Sequence, residues 1–198
     1  MGKMPMPRLP ADYCTANLLT CDLLTWMKGD RLKKTPGNFL EPGQAFPDFD
    51  LQESNGKHHS FVNLTADAPV ALFAVFKTDC PTSQFSLPYL NRLVEQVPGL
   101  PFVGISQDSP GQTEEFLHEW KPRFSLVLYE EEPYLLSNAL GVTNVPSLYL
   151  VSRAGVVLAC DFGYSEKFWE SLARRAAKAF GIRAAPIVPP DAPRWAVG

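Results

Sequence analysis

Continuous apolar runs separate amphipathic stretches through the middle of this chain. The run at 69–76 reads PVALFAVF and the run at 101–106 reads PFVGIS, and such runs are typical of strands buried on both faces. The last two predicted strands are joined by the short turn 152–155, which predicts a hairpin. The predicted strands are 69–76, 101–106, 125–128, 147–151 and 156–162.

Helical periodicity fills the intervals between these strands. Ser165 is a candidate N-cap, and Gly141 and Gly181 are candidate helix ends. The predicted helices are 84–97, 113–120 (beginning near Ser109-Pro110), 133–140 and 165–180. Strands that alternate with helices imply parallel crossovers, and the closing hairpin adds an antiparallel edge. The pattern therefore predicts an α/β fold, a mixed sheet with helices on both faces.

The pattern changes at both ends of the chain. Residues 1–39 form a predicted N-terminal extension with one helix, 12–28, and the α/β domain is predicted over 40–182. Residues 183–198 are rich in proline, which excludes a helix or a central strand and predicts an extended arm. The terminal arms also leave open an oligomer in which they pair two chains.

Charge and composition exclude several classes of function. The net charge of −3 and the pI near 5.6 argue against a nucleic-acid partner, since nucleic-acid binders usually carry a basic surface. No apolar run approaches the roughly 20 residues that a membrane span needs. The N-terminus lacks the apolar stretch of a signal peptide, which favours the cytoplasm.

The chain has four cysteines, at 14, 21, 80 and 160, too few and too scattered for a disulfide scaffold or a paired zinc site. Each could be a small core residue, and Cys160 is expected to be one because it lies in a predicted strand. Cys14 and Cys21 lie seven residues apart on one helix face, about 10 Å, too far to bridge each other.

Cys80 stands out because it follows a buried strand and precedes a helix. Ligands and chemistry collect at the carboxyl ends of strands in open α/β sheets. A helix N-terminus offers unpaired N–H groups and a partial positive charge, which favour a thiolate, the nucleophilic form. Pro81 suits the first helical position. Lys77 would favour the thiolate and Asp79 would oppose it, so both are candidates for tuning the thiol.

The residues around Cys80 carry a family resemblance. The run 76–83, FKTDCPTS, resembles the active-site loop of the thioredoxin superfamily in a C-x-x-S form, and Pro88 matches that family's helix-kinking proline. Val145-Pro146 resembles its cis-proline loop, and Gly155 its hairpin turn. The resemblance implies a cis bond before Pro146. It also implies that Pro81, Thr82, Val145 and Pro146 receive an extended peptide or a thiol partner.

The segment before the first long strand indicates which branch of the superfamily the chain resembles. Residues 41–51 and 55–57 resemble the N-terminal β-hairpin of the redoxin branch, which includes the alkyl hydroperoxide reductase and thiol-specific antioxidant proteins and their thiol reductase relatives. The helix and strand expected between Gln107 and Leu128 fit that branch as an insertion. The resemblance covers about residues 40–182 and implies a thioredoxin-like redoxin domain.

Two departures from the family pattern bear on the chemistry. Ser83 stands where the family usually has its second, resolving cysteine, and serine can hydrogen-bond a thiolate but cannot attack sulfur. Ala74 stands where the family has the buried carboxylate that activates that second thiol, which favours a natural serine. An engineered replacement of a natural cysteine by serine would leave the same residue at position 83. A natural Ser83 and an engineered Ser83 therefore both stay open. Cys14 or Cys21 could resolve Cys80 if the N-terminal extension folds over the site.

The sequence therefore predicts a thiol-disulfide oxidoreductase, of redoxin or antioxidant type, in which Cys80 and Ser83 are the catalytic positions. Protein disulfides or low-molecular-weight thiols are the expected partners, and neither a metal nor another cofactor is needed. Two alternatives stay open: a one-cysteine peroxidase and a thioredoxin-fold binding protein without turnover. Against the peroxidase, Lys77 and Phe73 occupy the places of the threonine and proline of P-x-x-x-T-x-x-C. The pair His58-His59 and the run 130–132 are expected to be solvated.

Overall fold

The computed structural model describes residues 39–197, which contain a seven-stranded sheet in the order β2-β1-β5-β4-β3-β6-β7 and a separate two-stranded sheet, β8-β9. The strands are β1 (Leu51–Gln52), β2 (His58–His59), β3 (Val70–Phe76), β4 (Phe102–Ser106), β5 (Leu126–Tyr129), β6 (Ser147–Ser152), β7 (Val157–Phe162), β8 (Tyr164–Ser165) and β9 (Trp195–Ala196). The helices are α1 (Phe61–Thr65), α2 (Pro81–Ser86), α3 (Asn91–Gln96), α4 (Pro110–Trp120), α5 (Leu135–Leu140) and α6 (Glu166–Ala179), with a 3₁₀ turn at Leu87–Leu90.

The centre of the sheet is mixed, which confirms the predicted fold class. β3 and β4 are parallel, as are β4 and β5, whereas β6 runs antiparallel to both β3 and β7. The apolar runs that predicted β3 and β4 are buried along their whole length. The turn between β6 and β7 contains Gly155 at a φ of 77°, a conformation that glycine adopts without a Cβ clash.

The additions predicted before and within the core sheet are also present. β1 and β2 form an antiparallel hairpin, with Leu51 opposite His59. The inserted α4 and β5 follow β4, and β5 lies between β4 and β1. Ser109 caps α4 because its hydroxyl accepts from the N–H of Gln112, whose side chain in turn accepts from the Ser109 N–H. This reciprocal capping explains why the helix begins where the sequence indicated.

The helix predicted over 84–97 is wrong in its start and its continuity, whereas the expected first helical position at Pro81 and the break implied at Pro88 are confirmed. The structure begins α2 at Pro81 with Cys80 as its N-cap, and a 3₁₀ turn containing Pro88 separates α2 from α3. Proline has no N–H to donate to the preceding turn and its ring crowds the carbonyl four residues earlier. The α-helical hydrogen bonding is therefore interrupted at Pro88 by the 3₁₀ turn.

Alternation along β3 divides the core between the two faces of the sheet. Leu72, Ala74 and Phe76 face one cluster, together with residues of α2, α3, α4 and α6. Phe73 and Val75 face the other, together with residues of α1 and α5. Each large apolar side chain buried here stabilises the fold by about 1.5–3 kcal/mol. Helices therefore cover both faces, as predicted.

The run 130–132 is not wholly solvated, which corrects the prediction for its first member. Glu130 is 4% exposed, and its carboxylate accepts hydrogen bonds from the Ser137 backbone N–H at 2.9 Å and from the Ser137 hydroxyl. The carboxylate thus satisfies a donor in the first turn of α5. Glu131 and Glu132 are exposed. A cap that folds back over seven residues follows no short spacing rule, so the sequence did not indicate it.

The Pro-rich arm contains no helix over 183–197, and part of it belongs to the core of the domain. Ile187 is fully buried and Val188 is 8% exposed, and both pack in the same cluster as α6. β9, near the end of the arm, pairs antiparallel with β8. Of the predicted N-terminal extension, the structure describes only Phe39, whose ring packs on Tyr149. Within 39–197, no helix is long and apolar enough to cross a membrane.

Candidate active site

Three neighbouring strands end at one edge of the sheet, and this edge carries the candidate site. β3, β4 and β5 are parallel neighbours, so their carboxyl ends lie side by side. Cys80 follows β3, Asp108 follows β4 and Glu130 follows β5. The antiparallel strand β6 begins at the same edge, where Ser147 lies opposite Val75. The topology therefore brings the predicted loop around Cys80 next to the Val145-Pro146 loop.

Cys80 ends a tight turn and begins α2. Its N–H donates to the Lys77 carbonyl at 3.4 Å, and its own carbonyl accepts from the Gln84 N–H at 3.0 Å. Its φ and ψ of −78° and 113° are extended, as is usual for an N-cap residue. Pro81 occupies the first helical position, where its missing N–H costs nothing. Cys80 is partly exposed.

The Cys80 thiol and the proline loop are in contact. The Cys80 Sγ–H donates to the Val145 carbonyl oxygen at 3.2 Å, and the Val145–Pro146 peptide bond is cis, as the resemblance implied. The Gly163 N–H donates to the Pro146 carbonyl at 2.8 Å and ties this loop to the end of β7. Cys80 and Val145, which are 65 residues apart in sequence, therefore form one site.

A clamp on Thr78 positions the loop that carries Cys80. The Thr78 N–H donates to Asp108 Oδ2 at 2.6 Å, and the Thr78 carbonyl accepts from Gln84 Nε2 at 2.9 Å. A hydrogen bond to a charged acceptor is worth about 1.5–3 kcal/mol when it is protected from solvent, and less here because Asp108 is partly exposed. Asp108 was not among the predicted site residues. Its position directly after the strand beside β3 is the feature that could have indicated it.

Ser83 does not make the hydrogen bond to Cys80 that serine chemistry allows. Its side chain is fully buried, and its Oγ has no hydrogen-bond partner among the described residues. The Cys80 thiol donates to Val145 instead. The Ser83 hydroxyl, at the position where the resemblance implies a resolving cysteine, therefore makes no hydrogen bond to the Cys80 sulfur.

Thr82, predicted to receive a partner, is already bonded within the chain. Its Oγ1 donates to the Val197 carbonyl at 2.6 Å, and its side chain is 3% exposed. Val197 lies in the Pro-rich arm, 115 residues away in sequence. The arm was not expected at the site, since no local pattern links it to α2.

The two candidate tuning residues lie at the surface. Lys77 is partly exposed and Asp79 is exposed. Over 39–197 neither side chain joins a salt bridge, since the ion pairs there involve other residues: Lys57–Glu53, His58–Asp50, His59–Glu53, Arg123–Glu95 and Arg174–Glu170. Their part in tuning the thiol stays a prediction.

The remaining cysteines and histidines lie away from the thiol or outside the described residues. Cys160 lies in β7, where its Sγ–H donates to the Leu40 carbonyl at 2.9 Å. The predicted helix 12–28, with Cys14 and Cys21, lies outside the described residues. His59 is 9% exposed and contacts Glu53 at 2.5 Å, so the expectation that both histidines are solvated is wrong for this one. Within the described part of the chain, no group of three or more His, Cys, Asp or Glu residues could hold a metal ion.

Fold and site together define a class: a thioredoxin-like protein with a cysteine at the N-terminus of its first long helical segment and a cis-proline loop against the sulfur. A sequence model of the AhpC/TSA family matches residues 42–159. The chain belongs to the AhpC/TSA family.

Known proteins similar to this chain agree on the fold. A thiol:disulfide interchange protein DsbE of Pseudomonas aeruginosa is 28% identical over 116 residues, which are 58% of this chain and 63% of that relative. The chain thus spans less than two thirds of the relative's length. Among solved structures, a protein assigned as a thiol:disulfide interchange protein DsbE from Chlorobium tepidum superposes with a TM-score of 0.63 at 23% identity, over 72% of this chain and 99% of its own. A thio-disulfide isomerase from Thermus thermophilus gives 0.56 at 24% identity, over 71% and 97%.

Proposed function

We propose that this protein is a thiol-disulfide oxidoreductase that works through Cys80. The observation that carries the proposal is the contact between the Cys80 sulfur and the Val145 carbonyl at 3.2 Å, which places a partly exposed thiol against a backbone loop at the edge of the sheet. Membership of the AhpC/TSA family and the similarity to a DsbE protein support it.

The chemistry needs one nucleophilic sulfur and one disulfide. The Cys80 thiolate attacks one sulfur of the substrate disulfide, a Cys80–substrate bond forms, the substrate S–S bond breaks, and the second substrate sulfur leaves as a thiolate. An external thiolate then attacks Cys80 Sγ, which releases the remaining substrate sulfur as a thiolate and leaves the external thiol bonded to Cys80. A second external thiolate attacks that external sulfur, forms a new external disulfide and releases Cys80 as a thiolate. The substrate disulfide gains the two electrons that the two external thiols lose.

The second half of this cycle must come from outside the C-P-T-S motif because Ser83 has no sulfur. We propose that a low-molecular-weight thiol such as glutathione, or a thiol of a partner protein, resolves the mixed disulfide. Cys14 and Cys21 are the candidates within the chain. Proteins with accessible disulfides are the proposed substrates.

Reduction of insulin with glutathione as the reductant tests the proposal. We expect the natural chain to precipitate the insulin B chain and Cys80→Ser to fall to the rate of glutathione alone. Cys160→Ser is the matched control, because that thiol bonds to Leu40 in β7, and it should retain the activity. If the natural chain reduces insulin no faster than Cys80→Ser, the protein is a binding module without turnover. Consumption of peroxide that depends on Cys80 would assign the chain to the peroxidases instead.

The cellular setting is proposed on sequence grounds alone. We expect the protein in the cytoplasm, in an antioxidant role, with pairing of two chains through the terminal arms left open. Cell fractionation and the mass of the purified protein in solution test these expectations.

A further inference from the structure

The Pro-rich arm is attached to the domain at two separate places, and the first is an anchor at residues 185–188. Oε1 of Glu170 in α6 accepts from the N–H groups of Ile187 and Val188 at 2.9 and 2.8 Å. Ile187 is fully buried. The anchor therefore combines apolar burial with protected hydrogen bonds, and it holds the arm whatever happens further along it.

The second attachment is the tip of the arm, residues 194–197, which combines backbone pairing with packing of Ala196 against the core cluster. β9 pairs antiparallel with β8, and the Glu166 N–H donates to the Arg194 carbonyl at 2.9 Å. The side chain of Val197 is 49% exposed. Because backbone pairing does not depend on side-chain identity, another extended chain can make the same bonds. The backbone part of this attachment can thus be exchanged for that of another chain.

The tip reaches the first turn of α2. The Val197 carbonyl accepts from Thr82 Oγ1 at 2.6 Å, and Thr82 lies two residues after Cys80. Thr82 is 3% exposed, and a buried hydroxyl needs an acceptor. Any chain that replaces the tip can supply one, since every residue carries a backbone carbonyl.

Hydrogen bonds connect the thiol to the tip from the other direction as well. Cys80 bonds to Val145, the next residue Pro146 accepts from Gly163, and Gly163 directly precedes β8, which pairs with the tip. The tip then returns to α2 through Val197 and Thr82. The chain of contacts therefore starts at Cys80, passes through the Val145-Pro146 loop, β8 and the tip, and returns to α2 at Thr82. The backbone of the tip is thus connected to the site of Cys80 from two sides.

We propose that residues 194–197 hold the place of an extended substrate polypeptide, which displaces them by pairing with β8 and accepting the Thr82 hydrogen bond. The inference rests on the proposed function, because it names the partner and the regulation of the same thiol. The partner is a polypeptide with a disulfide in an extended segment. A small disulfide offers no strand to pair with β8 and gains nothing from release of the tip.

The expected size of the effect follows from competition. For a ligand that needs the tip released, the apparent affinity equals the intrinsic affinity multiplied by the fraction of molecules in which the tip is released. Loss of one backbone hydrogen bond of the tip weakens only part of its attachment, because the packing of Ala196 and the Thr82 hydrogen bond remain. A loss of about 1.4 kcal/mol of tip binding corresponds to about tenfold in the apparent affinity for the polypeptide.

Ala196→Pro tests this directly. The Glu166 N–H donates to the Arg194 carbonyl, so these two residues form a hydrogen-bonded pair of the antiparallel ladder. Hydrogen-bonded and non-hydrogen-bonded pairs alternate along such a ladder, which makes Tyr164 and Ala196 the next hydrogen-bonded pair. Proline at position 196 removes the backbone N–H that Ala196 donates in that pair. We expect the rate constant of Cys80 with insulin to rise about tenfold and the rate constant with 5,5′-dithiobis(2-nitrobenzoate) to change by less than about twofold. Pro190→Ala, an exposed change between anchor and tip, is the control and should leave both rates as they are.

A variant that ends after Arg194 gives a second measurement that needs no thiol chemistry. We expect a labelled peptide of residues 191–198 to bind it at least about tenfold more tightly than it binds the full chain, by fluorescence anisotropy. An unchanged insulin rate in Ala196→Pro, or an equal rise with both disulfides, would overturn the inference. If Cys80 reacts with neither disulfide, the proposed function fails, and the peptide-binding measurement then tests the inference by itself. Equal binding of the peptide to both chains overturns the inference, and binding only to the shortened chain supports it.

Discussion

At the scale of single residues, the proposed function makes Ser83 the position that decides whether a Cys80 adduct can be resolved within the motif. Its side chain is fully buried, and within residues 39–197 its hydroxyl has no hydrogen-bond partner. A thiol at this position would be less polar and would lie one helical turn from Cys80, on the same side of the helix. Ser83→Cys should therefore fold as well as the natural chain and carry a resolving thiol.

We expect the natural chain, treated with glutathione disulfide, to keep a glutathione adduct on Cys80 and the Ser83→Cys variant to lose it. In the variant the new thiolate attacks Cys80 Sγ, forms an internal disulfide and releases glutathione. Intact mass measurement distinguishes the two products. Ser86→Cys is the matched control, because this equally buried position is six residues, about 9 Å along a helix, from Cys80. An adduct that persists in Ser83→Cys would show that residue 83 cannot reach the reactive sulfur.

At the scale of elements, α5 depends on a cap from outside its own sequence. It has only six residues, and Tyr134 before it is left-handed at a φ of 54°. Isolated helices of this length are not stable. The Glu130 carboxylate accepts the N–H and the hydroxyl of Ser137, and that hydroxyl also accepts from Gln107 Nε2 at 2.8 Å. This network joins α5 to the loop after β4.

Glu130→Ala should lower the free energy of unfolding by about 2–3 kcal/mol, because each buried donor left without a partner costs about 1–3 kcal/mol. Urea denaturation followed by circular dichroism measures the change. Glu131→Ala, the adjacent exposed carboxylate, should change stability by less than about 0.5 kcal/mol. Equal effects of the two substitutions would mean that net charge, not the cap, accounts for the loss.

At the scale of the whole molecule, buried tyrosines set the stability at high pH. Burial raises the pKa of the Tyr149 and Tyr164 phenols above the ordinary value of 10.0. The folded protein therefore keeps both neutral at pH values where the unfolded chain ionises them. The stability that the neutral phenols contribute is complete below pH 10 and is lost as the pH rises above it, so the free energy of unfolding should fall in that range.

Tyr164→Phe separates this effect from packing. Tyr164 is 2% exposed, and no hydrogen-bond partner for its hydroxyl lies among the described residues. Removal of an unsatisfied buried hydroxyl should raise the free energy of unfolding at pH 7 by about 1 kcal/mol, and the loss above pH 10 should become smaller. Urea denaturation at both pH values tests this. A loss of stability at pH 7 would instead mean that the hydroxyl is satisfied by buried water.

Much of the fold was predictable because it depends on local pattern. The apolar runs predicted β3 and β4, the Ser165 hydroxyl caps α6 by accepting from Phe168 as expected, and Gly155 turns the last hairpin. Cys80 at a strand–helix junction followed from the same local evidence. The cis form of Val145–Pro146 came from the family resemblance, not from the pattern.

The sequence by itself therefore determined the order of the longer strands and helices between residues 69 and 180, though not α1, β8 or β9. It also determined the position of Cys80 and the absence of sulfur at residue 83, because each follows from residues a few positions apart. Only the tertiary structure decided which groups are hydrogen-bonded at that site. Asp108 bonds to Thr78, 30 residues away in sequence, Val145 bonds to Cys80, 65 residues away, and Val197 bonds to Thr82, 115 residues away. Hydrogen bonds over such separations leave no periodic trace in the chain. They form because strands ending at one edge of the sheet, and an arm anchored by Ile187, bring distant backbone groups together around one thiol.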